Sequence, residues 1–146
     1  MAQPTLEERY DQKIADRILE ATAGAGGLPG YFGIEHVRFA PGKLWCRATI
    51  REELLTPFGN AHGGALAAIA DHITGMVVYP LMKPRQWAAT TEVKVNYIAP
   101  VQVGVVETES TVLAMTNRSA VVRGEIYFEG RLACAAQGTL TIVDPR

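Results

Sequence analysis

The chain has few of the residues that hold disulfide-rich domains and metal centres together. Only two cysteines, Cys46 and Cys134, occur among 146 residues, and they show neither a CxxC pair nor metal-ligand spacing. Disulfides are rare in reducing compartments, so we expect two reduced, packed thiols in a cytosolic protein rather than a disulfide. His36 and His72 also lack ligand spacing with another His, Cys or acid, which predicts structural or exposed positions and no metal site.

The sequence also lacks an excess of charge of one sign and a long apolar run. Its formal net charge is -1, so no basic excess points to nucleic acid or to an anionic membrane surface. The longest apolar stretches are interrupted by Asp71, His72, Lys83 and Arg85. The N-terminal segment MAQPTLEERYDQK is charged where a signal peptide would need apolar residues. We therefore expect a cytoplasmic protein with no nucleic-acid or membrane partner.

The length of 146 residues predicts a single domain over residues 1–146. Residues 1–30 of this domain are expected to form an N-terminal helix and a linker. Leu6, Tyr10, Ile14 and Ile18 recur every four residues within TLEERYDQKIADRILEATA, which is the period of an amphipathic helix on a surface. The glycine-rich segment GAGGLPG then ends this helix.

The rest of the chain predicts an α+β fold. IEHVRFA and KLWCRATIREELL are expected to form a hairpin, and the apolar residues 61–79 a helix wrapped by other elements. Period-two alternation predicts four further strands, in TTEVKVNYIAP, VETESTVLAMT, SAVVRGEIYFEG and RLACAAQGTLTIV, separated by turns at Pro100–Gly104, Asn117–Arg118 and Glu129–Gly130. No parallel crossover series is visible, so the sheet is expected to be antiparallel and curled around the long helix.

The stretch GNAHGGALAAIADHITG carries the candidate chemistry. Asn60 is a good N-cap, which would place His62, Gly63 and Gly64 in the first helical turn, where backbone N–H groups have no intrahelical partner. A glycine there lets a carbonyl oxygen approach the backbone, and the positive end of the helix favours the negative charge that develops during acyl transfer. This pattern indicates an oxyanion hole. The alternative is that Gly-Gly only allows close packing of another element.

Asp71 is the candidate acid of this stretch. It lies among apolar neighbours and is expected to be partly buried, where it would act as a base. The alternatives are a core aspartate whose hydrogen bonds are satisfied, or a side chain that is rotated to solvent. The nine residues of helix from His62 to Asp71 span about 13.5 Å, so Asp71 cannot act on a carbonyl held at the helix start by Gly63 of the same chain. A two-fold dimer with antiparallel central helices would bring Asp71 of one chain to the helix start of the other. The spacing therefore favours an obligate dimer with two shared sites.

These residues resemble the hotdog-fold acyl-CoA thioesterases, specifically the phenylacetate-pathway (PaaI-like) branch. The resemblance rests on HGGALAAIAD at the helix start, on ATTEVKVNYIAP at 89–100, and on the Asn117-Arg118-Ser119 turn, and it covers residues 31–142. It implies a hotdog fold, in which an antiparallel β-sheet wraps around a long central helix, and hydrolysis of a thioester. A lipase is not supported, because no GxSxG occurs.

The resemblance also implies catalytic roles for individual residues. The Gly63 amide would be the oxyanion donor, and Asp71 of the partner chain the base or nucleophile. Thr90 would position water, and His62 would support the thioester end rather than act as the principal base.

The expected substrate-binding residues include one departure from the family. Where the family commonly has an Asn whose amide contacts the thioester carbonyl, this chain has Thr56, whose hydroxyl can also donate. Asn60 lies close by in another register, and Gly64 belongs to the same helix start. Arg118 lies on a predicted turn, with Lys83 and Arg85 on another, where cations could meet the phosphates of coenzyme A.

The sequence therefore predicts an acyl-CoA thioesterase that releases an aryl or fatty acid and coenzyme A. It needs no cofactor, since coenzyme A is part of the substrate, and it is expected to form a homodimer that could pair into a tetramer. A non-catalytic acyl-CoA sensor or scaffold of the same fold is the alternative. A hotdog hydratase or dehydratase is less favoured, because no Gly-Asp-x-Asn-Pro run occurs.

Overall fold

A single antiparallel sheet of six strands dominates the computed structural model, which describes residues 2–22 and 26–145. Its strands lie in the spatial order β1-β2-β4-β5-β6-β3, so the strand that follows the central helix lies at an edge. The strands are β1 (Glu35–Ala40), β2 (Lys43–Ile50), β3 (Trp87–Tyr97), β4 (Gly104–Met115), β5 (Ser119–Phe128) and β6 (Arg131–Val143). The predicted α+β class and antiparallel pairing are confirmed.

The sheet wraps around one helix. The helices are α1 (Leu6–Arg9), α2 (Gln12–Thr22), α3 (Gly27–Tyr31) and α4 (Gly63–Met76), with 3₁₀ turns at Glu52–Leu54 and Tyr79–Leu81. One face of α4 is buried against the sheet; its residues are Ala65, Leu66, Ile69, Ala70, Ile73 and Thr74. By length and composition Gly63–Leu81 could cross a membrane, but 56% of this window is buried inside the protein. This window begins with α4, the core helix that the apolar sequence predicts. α4 ends at Met76 and is therefore shorter than the predicted helix over residues 61–79.

Glycines in the sheet allow α4 to lie close to it. A Cβ on Gly124 of β5 would lie 2.9 Å from Thr74 Cγ2 and 3.3 Å from Ile73 Cδ1, so only glycine fits without a shift. A Cβ on Gly138 of β6 would lie 3.4 Å from Thr74 Oγ1. Ser110 of β4 donates a hydrogen bond to the Ile73 carbonyl at 3.0 Å, which satisfies a buried hydroxyl at the same contact. Together these contacts fix the depth of α4 in the sheet.

The N-terminal region differs from the single predicted helix. It forms two helices, α1 and α2, because the Asp11 carboxylate accepts hydrogen bonds from the backbone N–H groups of Lys13 and Ile14 and so starts a new helix. Leu6 and Ile18 nevertheless pack against the core, as their spacing predicts. The predicted glycine-rich linker contains α3, and residues 23–25 of the predicted segment lie outside the described residues.

Two other expectations concern the strands and the thiols. The second strand ends at Ile50 rather than continuing to Leu55, because a 3₁₀ turn follows it. Cys46 and Cys134 are free and buried, as predicted. Burial raises the pKa of the Cys46 thiol to about 12 and that of Cys134 to about 11, so both remain neutral and unreactive near pH 7.

We predict that Gly124→Ala destabilises the protein because the new methyl group presses on Thr74. Overpacking of this kind costs about 1–3 kcal/mol of unfolding free energy, measurable by chemical denaturation. Thr74→Ser removes Cγ2 but keeps the hydroxyl that donates to the Ala70 carbonyl at 2.9 Å. Gly124→Ala should therefore cost less in the Thr74→Ser background. An equal cost in both backgrounds would show that Thr74 does not limit this position.

Candidate active site

The loop before α4 brings two predicted site residues together. Leu55 and Ala61 form an isolated antiparallel bridge, and the Thr56 N–H donates to the Asn60 carbonyl at 2.7 Å. The His62 N–H donates to the Leu54 carbonyl at 2.8 Å, which closes the loop at the start of the helix. The loop therefore places Thr56 beside the helix start despite a separation of six residues.

The N-cap of α4 is His62, so the prediction that Asn60 caps the helix is wrong. His62 has extended backbone angles, and its Nδ1 accepts a hydrogen bond from the Gly64 N–H at 2.9 Å. The backbone carbonyl of Asn60 is used within the preceding loop, which is why the helix starts two residues later. Because Nδ1 is an acceptor, this hydrogen bond assigns the proton of a neutral His62 ring to Nε2, which then faces outward as a donor.

The Gly63 amide is the free donor of this turn. Within residues 2–22 and 26–145, the Gly63 N–H donates to no acceptor, whereas the N–H groups of His62 and Gly64 are both used. It lies at the first position of a 14-residue helix, where the partial positive charge of the helix dipole is concentrated. The structure therefore offers one unused backbone donor to an anionic oxygen, at the half-buried residue that the sequence predicts.

Asp71 and Thr90 form the second cluster. The Thr90 hydroxyl donates to Asp71 Oδ1 at 2.8 Å, joining α4 to the edge strand β3. The expectation that Asp71 is partly buried is wrong for the single chain, in which it is exposed although it accepts from Thr90 of the edge strand. Its second carboxylate oxygen remains available to a ligand.

A β-bulge explains how Thr90 reaches Asp71. Strict alternation along β3 would place Thr91, not Thr90, on the same face as Val93 and Tyr97. The register shifts between Thr90 and Glu92, so Thr90 pairs with Leu140 and faces the inner side of the sheet with it. A bulge of this kind re-aims one side chain, and alternation in the sequence does not reveal it.

His36 and His72 form a pair that the sequence did not predict. Their Nε2 atoms are 3.0 Å apart and their ring planes differ by 4°, so one ring donates its Nε2 proton to the other. Burial, together with the neighbouring His72, lowers the pKa of His36 to about 4. Burial also lowers the pKa of His72, although the adjacent Asp71 opposes the shift. The pair is therefore neutral near pH 7 and joins β1 to α4 next to Asp71.

Arg118 lies apart from these clusters, in a cleft with two other cations. The cleft has a volume of about 110 Å³ and is lined by Arg9, Lys83, Gln86, Met115, Thr116, Asn117, Arg118, Ile142 and Asp144. Arg9 donates to the Asn117 side chain at 3.0 Å and so holds the turn that carries Arg118. Arg85 does not line this cleft, although the sequence grouped it with Lys83.

Two functional features escaped the sequence reasoning. Tyr97, at the end of β3, donates its hydroxyl hydrogen to the Gly63 carbonyl at 2.9 Å, a contact that only the three-dimensional path of the strand reveals. The pairing of His36 with His72 bridges 36 residues and has no local signal either. Among the described residues, no group of three or more His, Cys, Asp or Glu side chains could hold a metal ion.

An antiparallel sheet around one helix, with a free amide at the helix start and an acid further along, defines a hotdog-fold protein of the thioesterase class. The model of the thioesterase superfamily matches residues 58–135, more than half of the chain. The chain belongs to this superfamily.

Individual relatives agree with this assignment. The proofreading thioesterase EntH of Cronobacter turicensis is 30% identical over 120 residues, covering 82% of this chain and 87% of that protein. The 1,4-dihydroxy-2-naphthoyl-CoA hydrolase of Escherichia coli is 27% identical over 135 residues, covering 92% and 98%. A phenylacetic acid degradation-related protein of Ralstonia eutropha has a similar structure, with a TM-score of 0.82 at 22% identity over 88% of this chain and 98% of that one. The predicted hotdog fold and the predicted thioesterase superfamily are confirmed.

We predict that the His36–His72 pair makes the protein less stable in acid. In the unfolded chain, His36 takes up a proton near its ordinary pKa of 6.5, but in the folded chain only near 4. The unfolded state therefore binds more protons between these values, so the stabilisation is complete above pH 6.5 and is lost as the pH falls towards 4. His36→Gln should flatten this part of the stability curve, measured by denaturation from pH 8 to pH 4. An unchanged slope would contradict the prediction.

Proposed function

We propose that this member of the thioesterase superfamily hydrolyses an acyl-CoA thioester to a free acid and coenzyme A. The observation that carries the proposal is the free Gly63 N–H at the start of α4, on the same helix as the Asp71–Thr90 pair. The Gly63 N–H can stabilise an oxyanion, and Asp71 can either attack the thioester carbonyl or activate a water molecule that does so. The names of the two relatives above, a thioesterase and an acyl-CoA hydrolase, support this class of reaction.

The helix start would stabilise the transition state. When a thioester carbonyl is attacked, negative charge develops on its oxygen, and the Gly63 N–H together with the helix dipole can stabilise that charge. His62 can add an Nε2–H donor at the thioester end. Thr56 is a candidate for a second hydrogen bond to the thioester carbonyl oxygen. Its Oγ1 accepts from the Phe58 N–H at 3.2 Å, which leaves the hydroxyl proton free to donate.

Asp71 would supply the base or the nucleophile. Thr90 holds one carboxylate oxygen in place, and its own oxygen lone pairs can accept a hydrogen bond from the attacking water. The leaving thiol has a pKa of about 8.5, so it departs as a thiolate with little help from a general acid. One carboxylate and one oxyanion hole therefore suffice, and the reaction uses no cofactor beyond the coenzyme A of its substrate.

The two halves of the site would come from two chains. Eight residues separate Gly63 from Asp71, which corresponds to about 12 Å along a helix, too far for both to act on one carbonyl. The edge strand β3 has eleven residues, and none of the strands in the described part of the chain pairs with its outer side. Its Trp87 and Tyr97 are about half exposed. Long exposed edges are normally paired or covered. We therefore assign β3 and the outer face of α4 to a two-fold dimer interface; further pairing into a tetramer remains an expectation.

We assign the cationic cleft that contains Arg118 to the phosphates of coenzyme A. Across the sheet, Thr90 pairs with Leu140 and Leu140 with Ala120, which is two residues from Arg118. Strand spacing and rise put Arg118 about 12 Å from Thr90, within reach of the pantetheine arm. Arg118 and Lys83 would then contact phosphate oxygens. The names of the relatives favour an aromatic acyl group over a fatty one.

We predict that Asp71→Asn lowers turnover by about 10²- to 10⁴-fold, the usual contribution of a positioned base. The measurement is thiol release from phenylacetyl, hydroxybenzoyl, medium-chain and long-chain coenzyme A esters. Asp16→Asn, an exposed acid on α2 that accepts from Gln12, is the matched control and should behave as wild type. Acyl-CoA binding without release from any ester would refute hydrolysis and favour a sensor. Unchanged turnover in Asp71→Asn would refute its role.

A second prediction tests the shared site. Gly63→Pro deletes the amide donor, and Asp71→Asn deletes the acid, so each homodimer should be inactive. A heterodimer of the two variants, purified through different tags, contains one intact site and one doubly altered site if the halves come from different chains. It should regain about half of the wild-type turnover. An inactive heterodimer would place both halves within one chain, and a monomeric wild type would refute the dimer.

A further inference from the structure

Tyr97 contacts the helix start in two ways. Its hydroxyl donates to the Gly63 carbonyl at 2.9 Å, and its ring lies against the Gly63 backbone. A Cβ on Gly63 would lie 3.1 Å from Tyr97 Cζ and 3.3 Å from both Cε1 and the hydroxyl oxygen. The glycine is therefore needed here for the close approach of this ring as well as for access of a ligand.

The peptide group between Gly63 and Gly64 is held at both ends by side chains. Tyr97 donates to its carbonyl oxygen, and His62 Nδ1 accepts from its N–H at 2.9 Å. A peptide group is planar, so fixing its oxygen and its nitrogen fixes its orientation. The Gly63 N–H belongs to the preceding peptide and has no acceptor of its own in the described part of the chain. Its direction depends on the backbone angles at Gly63, which this arrangement restrains.

We propose that Tyr97 is a positioning residue that orients the Gly63 amide as an oxyanion donor, an inference that rests on the proposed thioesterase function. The peptide that carries the Gly63 N–H is already held by the helix, because its His62 carbonyl accepts from the Ala65 and Leu66 N–H groups at 2.9 and 3.3 Å. The Tyr97 bond restrains the next peptide, at a glycine, the residue type with the greatest backbone freedom. Stabilisation of an oxyanion requires a donor that points at the oxygen before the charge develops. The Tyr97 hydroxyl supplies this restraint from β3, outside the helix.

Core packing does not explain the position of Tyr97. The side chain is 55% exposed in the single chain, where it removes little apolar surface from water. Tyr97→Phe keeps the ring, so it tests the hydroxyl separately from any packing at the proposed dimer interface. Tyr127 of β5 offers a matched comparison, because its hydroxyl donates to Glu125 Oε2 at the same distance of 2.9 Å. Tyr97→Phe and Tyr127→Phe therefore delete the same atom and one hydrogen bond of equal length, at the helix start and at a distant strand.

The experiment compares these two variants with wild type. Tyr97→Phe should lower kcat by about 3- to 10-fold, which corresponds to the net contribution of one hydrogen bond, with KM nearly unchanged. Tyr127→Phe should leave kcat unchanged. A purely structural role of Tyr97 would change the melting temperature but not separate kcat from KM. Equal kcat values in the two variants would overturn the proposal.

A double-mutant cycle and a spectrum complete the test. Gly63→Ala forces the Tyr97 ring to shift, so Tyr97→Phe should lower kcat little further in that background. If the two losses of kcat instead multiply, the restraint is contradicted.

The second readout is the nitrogen–proton NMR spectrum of glycine-labelled protein. The Gly63 and Gly64 amides should shift in Tyr97→Phe but not in Tyr127→Phe, and unchanged amides would refute the restraint. A wild type that hydrolyses no thioester would refute the proposed function alone, because this spectrum still tests the restraint.

Discussion

The position of α4 along the edge strand β3 is the constraint on which the site depends. Two side-chain hydrogen bonds set it: Thr90 to Asp71, and Tyr97 to the Gly63 carbonyl, 2.8 and 2.9 Å long. On β3 they lie near opposite ends, and on α4 one lies at the first residue and the other near the middle, so together they fix the helix against sliding and against rotation. Since the acid and the free amide are both on α4, the same two contacts orient both halves of the candidate site.

The core packing supports this arrangement from the other side of the helix. Gly124 and Gly138 let α4 lie close to the sheet, and Thr74 and Ser110 satisfy buried polar groups at that contact. The buried face of α4 packs against the sheet of its own chain. Asp71 and the helix start therefore face outward, where a second chain or a ligand can reach them. Burial of one face and chemistry on the other follow from the same amphipathic helix.

Much of this fold could be predicted from the sequence, because the patterns that specify it are local. Period-two alternation predicted the four C-terminal strands, and the apolar segment after His62 predicted the core helix. The N-cap was assigned to Asn60 instead of His62, because residue preference favours asparagine while the closing of the loop by Leu54 decides the start of the helix. The break at Asp11 was missed for a similar reason, since a local side-chain cap outweighed the apolar spacing around it.

The site residues could be named from the sequence, but their contacts could be predicted only where the residues are adjacent in the chain. Gly63 and His62 follow from the His-Gly-Gly motif, but Thr90 meets Asp71 through a bulge that reverses the face expected from alternation. The contacts of Tyr97 with Gly63 and of His36 with His72 join residues 34 and 36 positions apart, and no local pattern encodes them.

The separation of Gly63 and Asp71 on one helix has a consequence for how this protein can vary. Eight residues at about 100° each turn the helix by about 800°, so the two positions lie about 80° apart around its axis and about 12 Å apart along it. An insertion or deletion of one residue between them would rotate one half-site by about 100° and break its bond to β3. The spacing between amide and acid is therefore fixed by the scaffold.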